Sequence, residues 1–243
     1  MSIFFKNNQE QRQYVKNKLS KLYPNFKTGG DYFVDFLSGH LEQNSLIVDA
    51  GCGEGGDIMS KYQGRVSSII GLDIDSESLE KNQNVDQKIV ANLEQISLED
   101  NTIDIVVAIF VLEHLKNPLE VFKEIRRVLK KDGVLIFLTP NLFNPIMFFS
   151  KISPYFIHKI LRKYILKNPE KAYKTFYKIN TKSKLVSLLK QANFTTMQIK
   201  RAGNPEYLGF CKPLVGVAIF WEKIIASRFL NFLKMYLIGK AIK

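Results

Sequence analysis

Cysteine and long uncharged apolar runs are scarce in this chain of 243 residues. Cys52 and Cys211 are too few for a disulfide framework, which favours a reducing, cytoplasmic location. The longest uncharged apolar run near the C-terminus, residues 213–221, is much shorter than the roughly 20 residues of a bilayer-spanning helix. The first residues, MSIFFKNNQEQRQ, turn polar after a short apolar stretch. The sequence therefore predicts neither a transmembrane helix nor a cleavable signal peptide.

Acidic residues are scarce in the C-terminal part. The net charge is +12, and residues 1–140 contain 16 Lys and Arg against 20 Asp and Glu. Residues 141–243 contain 19 Lys and Arg against three acidic residues, Glu170, Glu206 and Glu222. This asymmetry predicts an anionic partner for the C-terminal part, and composition alone leaves nucleic acid, phosphate and a lipid surface open.

Apolar runs and helix-like segments alternate between residues 45 and 140. Runs that are apolar throughout and separated by helices predict a parallel sheet covered on both faces. The predicted fold class is therefore α/β, with a doubly wound, mostly parallel sheet. The predicted strands are residues 45–51, 67–74, 88–93, 103–112 and 134–140, and helices are expected at 55–62, from 76 and at 118–131.

Four segments follow from this pattern and its flanks. Residues 1–44 predict two helices, 8–22 and 31–43, that cover the site, and residues 45–141 form the ligand-binding core. Residues 142–180 predict a helical insertion that covers the substrate. Residues 181–243 predict a helix from Thr181, the remaining strands and a long amphipathic C-terminal helix.

The stretch LIVDAGCGEGGD, residues 46–57, places glycines at 51, 53 and 56, with Asp73 about twenty residues beyond. This G-x-G-x-x-G spacing fits a dinucleotide-binding turn but is weak evidence by itself. Asp49 would repel a pyrophosphate and would attract a cationic ammonium or sulfonium group. The local charge therefore favours a zwitterionic ligand that carries adenosine over a nicotinamide dinucleotide.

Several motifs in order resemble the class I S-adenosylmethionine (SAM)-dependent methyltransferases. The resemblance covers roughly residues 40–141 and implies SAM as the cofactor. It also implies a Rossmann-like sheet of seven strands, with the last strand antiparallel and made from the C-terminal part. The motifs are VDAGCGEGG (48–56), GLDID (71–75), NLEQISLEDNTIDIVV (92–107), VLEHLKNP (111–118) and LKKDGVLIFLTPN (129–141).

The resemblance also implies which residues bind the cofactor. Gly51 and Gly53 let the backbone approach the methionine moiety, and Asp49 either holds its amino group or braces the loop. Asp73 accepts hydrogen bonds from the two ribose hydroxyls, with Asp75 as its rival. The full implied set is Asp49, Gly51, Cys52, Gly53, Asp73, Ile74 against the adenine ring, Asn92 and Leu93 at the adenine edge, and Phe110.

The best candidate for a catalytic base is His114, which follows the fourth strand at the edge where open α/β sheets bind ligands. The alternative is a histidine that only holds the loop, and Glu113 is interpreted as its structural partner. His40 and His158 have no supporting residues nearby in the sequence. No Cys/His cluster has the spacing of metal ligands, so no metal is predicted.

The methyl acceptor is predicted from a group of aromatic and other apolar residues after the fifth strand. They indicate a pocket for an apolar, aromatic or lipid-linked small molecule, or else an ordinary cover over the sheet. The residues are Phe143, Ile146, Met147, Phe148, Phe149, Tyr155 and Phe156.

The C-terminal helix carries a second apolar stripe, with basic and polar residues on another face. The stripe is either core or a contact with an anionic membrane surface, so a peripheral membrane association is possible for a cytoplasmic protein. Its apolar members are Ala218, Trp221, Ile225, Phe229, Phe232 and Tyr236, and the other face has Lys223, Ser227, Asn231 and Lys234.

Three functions remain open from the sequence. The first is a methyltransferase that acts on an O, N or C atom of a small molecule. The second is an RNA or protein methyltransferase, which the position of the aromatics within apolar runs disfavours for RNA. The third is a SAM-binding module without turnover.

Overall fold

The computed structural model describes residue 5, residues 7–152 and residues 173–243. The chain divides into two compact units. We call residues 1–29, 141–174 and 201–236 the helical unit, and residues 30–140, 175–200 and 237–243 the sheet unit.

Seven strands of the described chain form one sheet, in the order β3-β2-β1-β4-β5-β7-β6. Strands β1 to β5 pair in parallel. Strand β7 is antiparallel to β5, since the Lys243 amide donates to Gly133 O and the Asn141 amide donates to Met235 O. The strands are β1 Leu46–Ala50, β2 Ser68–Asp73, β3 Gln87–Val90, β4 Ile103–Ile109, β5 Leu129–Pro140, β6 Met197–Ala202 and β7 Tyr236–Ile242.

The central strands have few polar side chains because helices cover both of their faces. Val48, Val106 and Phe137 are fully buried and belong to a core that Leu237 of β7 also joins. This burial on both faces is the feature that continuous apolar runs predict. The predicted α/β fold, with a mostly parallel sheet and an antiparallel last strand, is confirmed.

In the described chain, the sheet unit contains four α-helices, and local signals mark the start of three of them. Asp75 caps α3 by accepting hydrogen bonds from Glu77 N and Ser78 N, and Thr181 caps α6 by accepting one from Lys184 N. Pro118 opens α4, where a missing N–H is not needed. The helices are α2 Gly29–Ser38, whose first residue belongs to the helical unit, α3 Ser76–Lys81, α4 Pro118–Val128 and α6 Lys182–Gln191.

Two predicted helices between residues 45 and 140 differ from the structure, and the helix predicted at residues 31–43 is instead α2, Gly29–Ser38. Residues 55–62 do not form the expected helix, and only a 3₁₀ turn forms, at Met59–Lys61. Gly51, Gly53 and Gly55 have φ angles of 72°, 50° and 91°, so the loop follows a left-handed path that a helix cannot continue. Helix α4 ends at Val128 rather than at residue 131, because the buried Leu129 pairs with Ile103 in the sheet.

The helical unit contains α1 Asn8–Leu22, α5 Pro145–Ile152, α7 Pro205–Leu208 and α8 Lys212–Ile224. Helix α1 packs against α8 through a small core formed by Phe5, Val15, Val215 and Ile219. The Gln11 side-chain amide joins α1 to α7 by donating to Glu206 O at 2.7 Å and to Gly209 O at 3.1 Å.

The long C-terminal helix predicted through Tyr236 is wrong. Helix α8 ends at Ile224, Phe232 lies in a 3₁₀ turn, and Tyr236 begins β7. The apolar spacing continues past Ile224, but the residues beyond it contribute a buried strand to the sheet. Leu237 and Ile238 are fully buried there. Helical periodicity therefore described only the first third of the stripe.

A membrane-crossing helix needs both length and low polarity. In the part of the chain that the structure describes, no helix combines the two.

Candidate functional site

The glycine loop after β1 is bound to the end of β2. The amides of Gly51 and Cys52 both donate to Leu72 O, at 2.7 and 3.2 Å. A Cβ at Gly51 would lie 2.6 Å from Val111 Cγ2, so this position requires glycine for packing as well as for its φ of 72°. The loop is therefore held against the carboxyl edge of the sheet before any ligand is considered.

Asn82 supports the same loop, a role that no sequence motif indicates. Its buried side-chain amide donates to Gly53 O at 3.2 Å and to Cys52 O at 3.4 Å. Its Oδ1 accepts from the Asn84 amide, and the Asn84 side chain donates to Gly56 O. Asn82 follows α3 as an ordinary helix-ending residue, and only the fold brings it next to the loop.

Gly53 and Asp73 lie at the centre of the candidate site. Asp73 Oδ2 accepts from the Gly53 amide and Asp73 Oδ1 accepts from the Asp75 amide, both at 2.8 Å. A carboxylate offers about four acceptor positions, so each oxygen retains one for a ribose hydroxyl. A Cβ on Gly53 would meet nothing within 4 Å, so space is open above the loop.

The carboxylate of Asp75, the alternative ribose acceptor, caps the start of α3. Its Oδ1 accepts from the amides of Glu77 and Ser78, and its Oδ2 accepts from the Ser78 hydroxyl at 2.9 Å. The start of α3 needs these acceptors because its first amides have no partner within the helix. This arrangement supports the preference for Asp73, whose contact with the ribose stays a prediction.

The buried Asp49 and the partly buried Cys52 define the electrostatics under the loop. Burial raises the pKa of Asp49, at the end of β1, to about 7, and the nearby Asp73 charge adds to the shift. Burial, followed by the charges of Asp49 and Asp73, raises the pKa of the Cys52 thiol to about 12. A cation beside Asp49 would favour its ionised form. Cys52 stays a neutral thiol, and its Sγ fills the space above Gly71.

Three large apolar side chains of the sheet unit are exposed, and all three lie at the carboxyl edge. Ile74 follows β2, Val90 ends β3 and Phe110 follows β4, with exposed fractions of 71, 59 and 41%. Phe110 also has a φ of 57°, a conformation that non-glycine residues adopt at some energetic cost and often at functional sites. Exposed apolar surface beside Asp73, the predicted ribose acceptor, is chemically suited to an adenine ring. Val90 was missed by the sequence analysis.

Asn92 and Leu93 follow β3 in a tight turn. Asn92 Oδ1 accepts from the Glu94 amide at 3.0 Å and keeps a second lone pair. Leu93 is partly buried against the main core. Both residues therefore lie at the same edge as Val90, where the adenine contact is predicted.

His114 lies in the 3₁₀ turn Leu112–His114 just beyond β4, and its side chain is partly exposed. Glu113 before it is buried, and burial raises the pKa of its carboxyl to about 7. The Thr139 hydroxyl donates to Glu113 Oε2 at 3.1 Å and accepts from the Asn180 side-chain amide at 2.7 Å. Glu113 thus holds the turn beneath His114, as a structural partner would.

The same turn anchors the chain that returns from the insertion. Glu113 O accepts from the amides of Phe176 and Tyr177, and Tyr177 has a φ of 48°. Neither Asn180 nor Tyr177 was identified from the sequence, since no motif marks them.

The predicted acceptor residues fall on the helical unit or outside the described chain. Phe143 and Phe148 are half-exposed, whereas Met147 is buried. Tyr155 and Phe156 lie outside the described residues, as does His158. His40 lies in the turn after α2, and its Nδ1 lies 2.9 Å from Phe36 O. Among the residues that the structure describes, no group of three His, Cys, Asp or Glu side chains could hold a metal ion.

Sequence comparison identifies a methyltransferase domain over residues 48–137. An uncharacterised protein of Methanocaldococcus jannaschii is 36% identical over 102 residues, which are 41% of this chain and 43% of the relative. A ubiquinone biosynthesis O-methyltransferase of Haemophilus ducreyi is 27% identical over 167 residues, 63% of this chain and 66% of the relative. The chain thus spans from under half to about two thirds of these relatives.

Comparison with solved structures shows the same fold at low identity. A SAM-dependent methyltransferase of Mesorhizobium loti has a TM-score of 0.55 at 16% identity, covering 86% of this chain and 96% of the other. The geranyl diphosphate C-methyltransferase of Streptomyces coelicolor has a TM-score of 0.57 at 13% identity, covering 98 and 85%.

The matched domain contains the glycine loop, Asp73 and the turn at His114. Residues 48–137 therefore match the methyltransferase domain family, and the relatives and solved structures that resemble the chain include SAM-dependent methyltransferases. SAM is the cofactor of this family, and the open space at Gly53, the spare acceptors of Asp73 and the exposed apolar edge fit it.

Proposed function

We propose that this protein transfers the methyl group of SAM to a small molecule with an apolar, aromatic or lipid-linked body. The observation that carries the proposal is the carboxyl edge of the sheet unit. There Asp73 retains free acceptor positions next to an open glycine loop, and Ile74, Val90 and Phe110 expose apolar surface around it.

Charge is the first contribution of these residues. Asp73 is close enough to Asp49 that its charge raises the energy of the ionised form of Asp49. A ligand with an ammonium and a sulfonium group relieves that repulsion, whereas a pyrophosphate increases it. The pair therefore selects a cationic ligand over a nicotinamide dinucleotide, and Asp73 orients the ligand through its ribose.

Alignment is the second contribution. When bound, SAM supplies an already activated methyl group, so the protein must mainly hold the acceptor in line and exclude water. The turn that carries His114 is fixed from below by the buried Glu113, Thr139 and Asn180. We propose that His114 takes a proton from the acceptor when the acceptor is a hydroxyl.

The acceptor class is supported by the relatives and by composition. Several relatives are ubiquinone biosynthesis O-methyltransferases, which combine 25 to 27% identity with 63 to 76% coverage of this chain. The aromatics after β5 add apolar surface in the helical unit, where Phe143 stacks edge-on against Phe232 at a centroid distance of 6.0 Å. An acceptor that is methylated on an oxygen atom and has an apolar body suits both observations.

Transfer of labelled methyl groups tests the proposal. The full chain is incubated with methyl-labelled SAM and, in parallel, with lipid extracts, phenolic small molecules, RNA and protein. We expect label in the lipid or phenolic pool, at a rate that the His114→Ala variant lowers. Label found only in RNA or protein would contradict the proposal that the acceptor is a small molecule. SAM binding without label in any pool would indicate a module without turnover.

A further inference from the structure

The exposed large apolar side chains outside the cofactor edge are concentrated in the helical unit. Helix α8 presents three of them, at positions 217, 220 and 224, and Phe229 follows shortly after it. Val217, Phe220, Ile224 and Phe229 have exposed fractions of 61, 65, 39 and 85%. Isolated exposed apolar residues are normal on proteins, but three on one short helix are not isolated.

The two faces of α8 are clearly separated. Val215, Ala218, Ile219 and Glu222 are buried, whereas Val217, Phe220 and Ile224 follow each other at intervals of three and four residues on the exposed side. That spacing places them on one stripe of a helix. A helix that is apolar on its outer face as well as its inner face has a second apolar environment to contact.

The charge of the unit defines that environment. The helical unit contains 18 Lys and Arg but only four Asp and Glu in its sequence. Glu222, the one acidic residue of α8, is buried, and its Oε1 accepts from the Asn204 amide at 3.1 Å. Lys223 and Arg228 are exposed beside the apolar stripe. The outer face therefore combines apolar side chains with positive charge.

We propose that the outer face of α8 and the following turn, formed by Val217, Phe220, Lys223, Ile224, Arg228 and Phe229, docks on the surface of an anionic lipid bilayer. Apolar rings would enter the boundary between headgroups and acyl chains, and the basic side chains would contact the headgroups. A second copy of the chain fits this face less well, because two such basic units repel each other.

This surface corrects the sequence-based stripe in detail. Trp221 is partly buried, and Ala218 and Ile225 are buried, so these members of the expected stripe face the protein. Val217 and Phe220, which the sequence analysis did not single out, are the exposed ones. Phe229 is the one residue of the expected stripe that the new surface keeps.

Vesicle co-sedimentation of the full chain tests the proposal. The vesicles are pure phosphatidylcholine, or equal parts of phosphatidylcholine and the anionic phosphatidylglycerol. We expect binding to the anionic vesicles alone, and we expect it to weaken as salt is raised, because exposed charges are screened beyond about 10 Å at 0.1 M ionic strength. The double variant Phe220→Ser/Phe229→Ser should bind about tenfold more weakly or worse, since two rings no longer enter the boundary.

A matched pair of charge variants locates the contact. Lys223→Glu/Arg228→Glu and Lys123→Glu/Lys131→Glu change the net charge equally, and all four side chains are exposed. The second pair lies in the sheet unit. We expect the first pair to weaken vesicle binding at least about tenfold and the second pair to change it much less, since basic groups act within a short distance of the surface.

Thermal melts accompany each variant, and equal melting temperatures show that the exposed positions were not core. Absence of binding to anionic vesicles would overturn the proposal. If both charge pairs weakened vesicle binding equally, the contact would not lie at the outer face of α8, since only overall charge would then matter. A lipid-free dimer that the Phe220→Ser/Phe229→Ser variant dissociates would instead assign the face to a second copy of the chain.

Discussion

Asp73 at the end of β2 accepts a 2.8 Å hydrogen bond from the Gly53 amide, which joins the predicted ribose acceptor directly to the glycine loop. The two elements that a cofactor of this family would contact are therefore one hydrogen-bonded unit. Asp75, two residues further on, uses its carboxylate to cap α3 instead.

Replacing these two aspartates separates ligand binding from helix capping. We expect Asp73→Asn to weaken SAM binding at least about tenfold, because hydrogen bonds to a charged acceptor contribute roughly 1.5–3 kcal/mol each. Asp75→Asn keeps most of the cap, and Asp75→Ala should cost about 1 kcal/mol of stability while retaining affinity. Calorimetric titration and thermal melts give both quantities. Greater loss of affinity in the Asp75 variants would reverse the assignment.

Asp49 makes a pH-dependent contribution of known sign. Its pKa rises on folding from 3.8 to about 7, so the folded protein binds a proton that the unfolded chain lacks between those values. This group therefore lowers the free energy of unfolding as pH rises from about 4 to 7. Asp49→Asn removes that loss, and we expect the SAM-free variant to be more stable than the parent at pH 8, by up to ~4 kcal/mol.

SAM affinity should show the opposite trend for the same residue. An ionised Asp49 attracts a cationic ligand, so binding by the parent protein should strengthen as pH rises through about 7. The Asp49→Asn variant should bind more weakly at pH 8 and lose most of that pH dependence. An unchanged affinity in the variant would mean that Asp49 only braces the loop.

His114 and Glu113 are neighbours with different expected roles. We expect His114→Ala to lower turnover about 100-fold or more if the acceptor is a hydroxyl, with SAM affinity retained. Glu113→Gln keeps the shape of the group that accepts from Thr139, so its effect on turnover should be much smaller. The reverse pattern, with His114→Ala within about threefold of the parent, would transfer the role of base to the Glu113 carboxyl.

Much of the sheet was predictable from its apolar runs. A run that is apolar at every position must be buried on all sides, as a central strand or a core helix is. Asp73 and the glycines were predictable from spacing. The loop after β1 was not, since three left-handed glycines override the helical pattern. Asn82, Asn180 and Val90 reach the site through the fold, and nothing in their local sequence distinguishes them. The prediction of a continuous C-terminal helix was wrong because an apolar segment can show helical spacing and still be buried as a strand.

Calorimetric titration of the full chain with SAM, its demethylated product S-adenosylhomocysteine and NADH tests the central claim most directly. We expect SAM and the demethylated product to bind with about micromolar affinity, which corresponds to roughly −8 kcal/mol, and NADH not to bind. Tight NADH binding together with no heat from SAM would contradict the account.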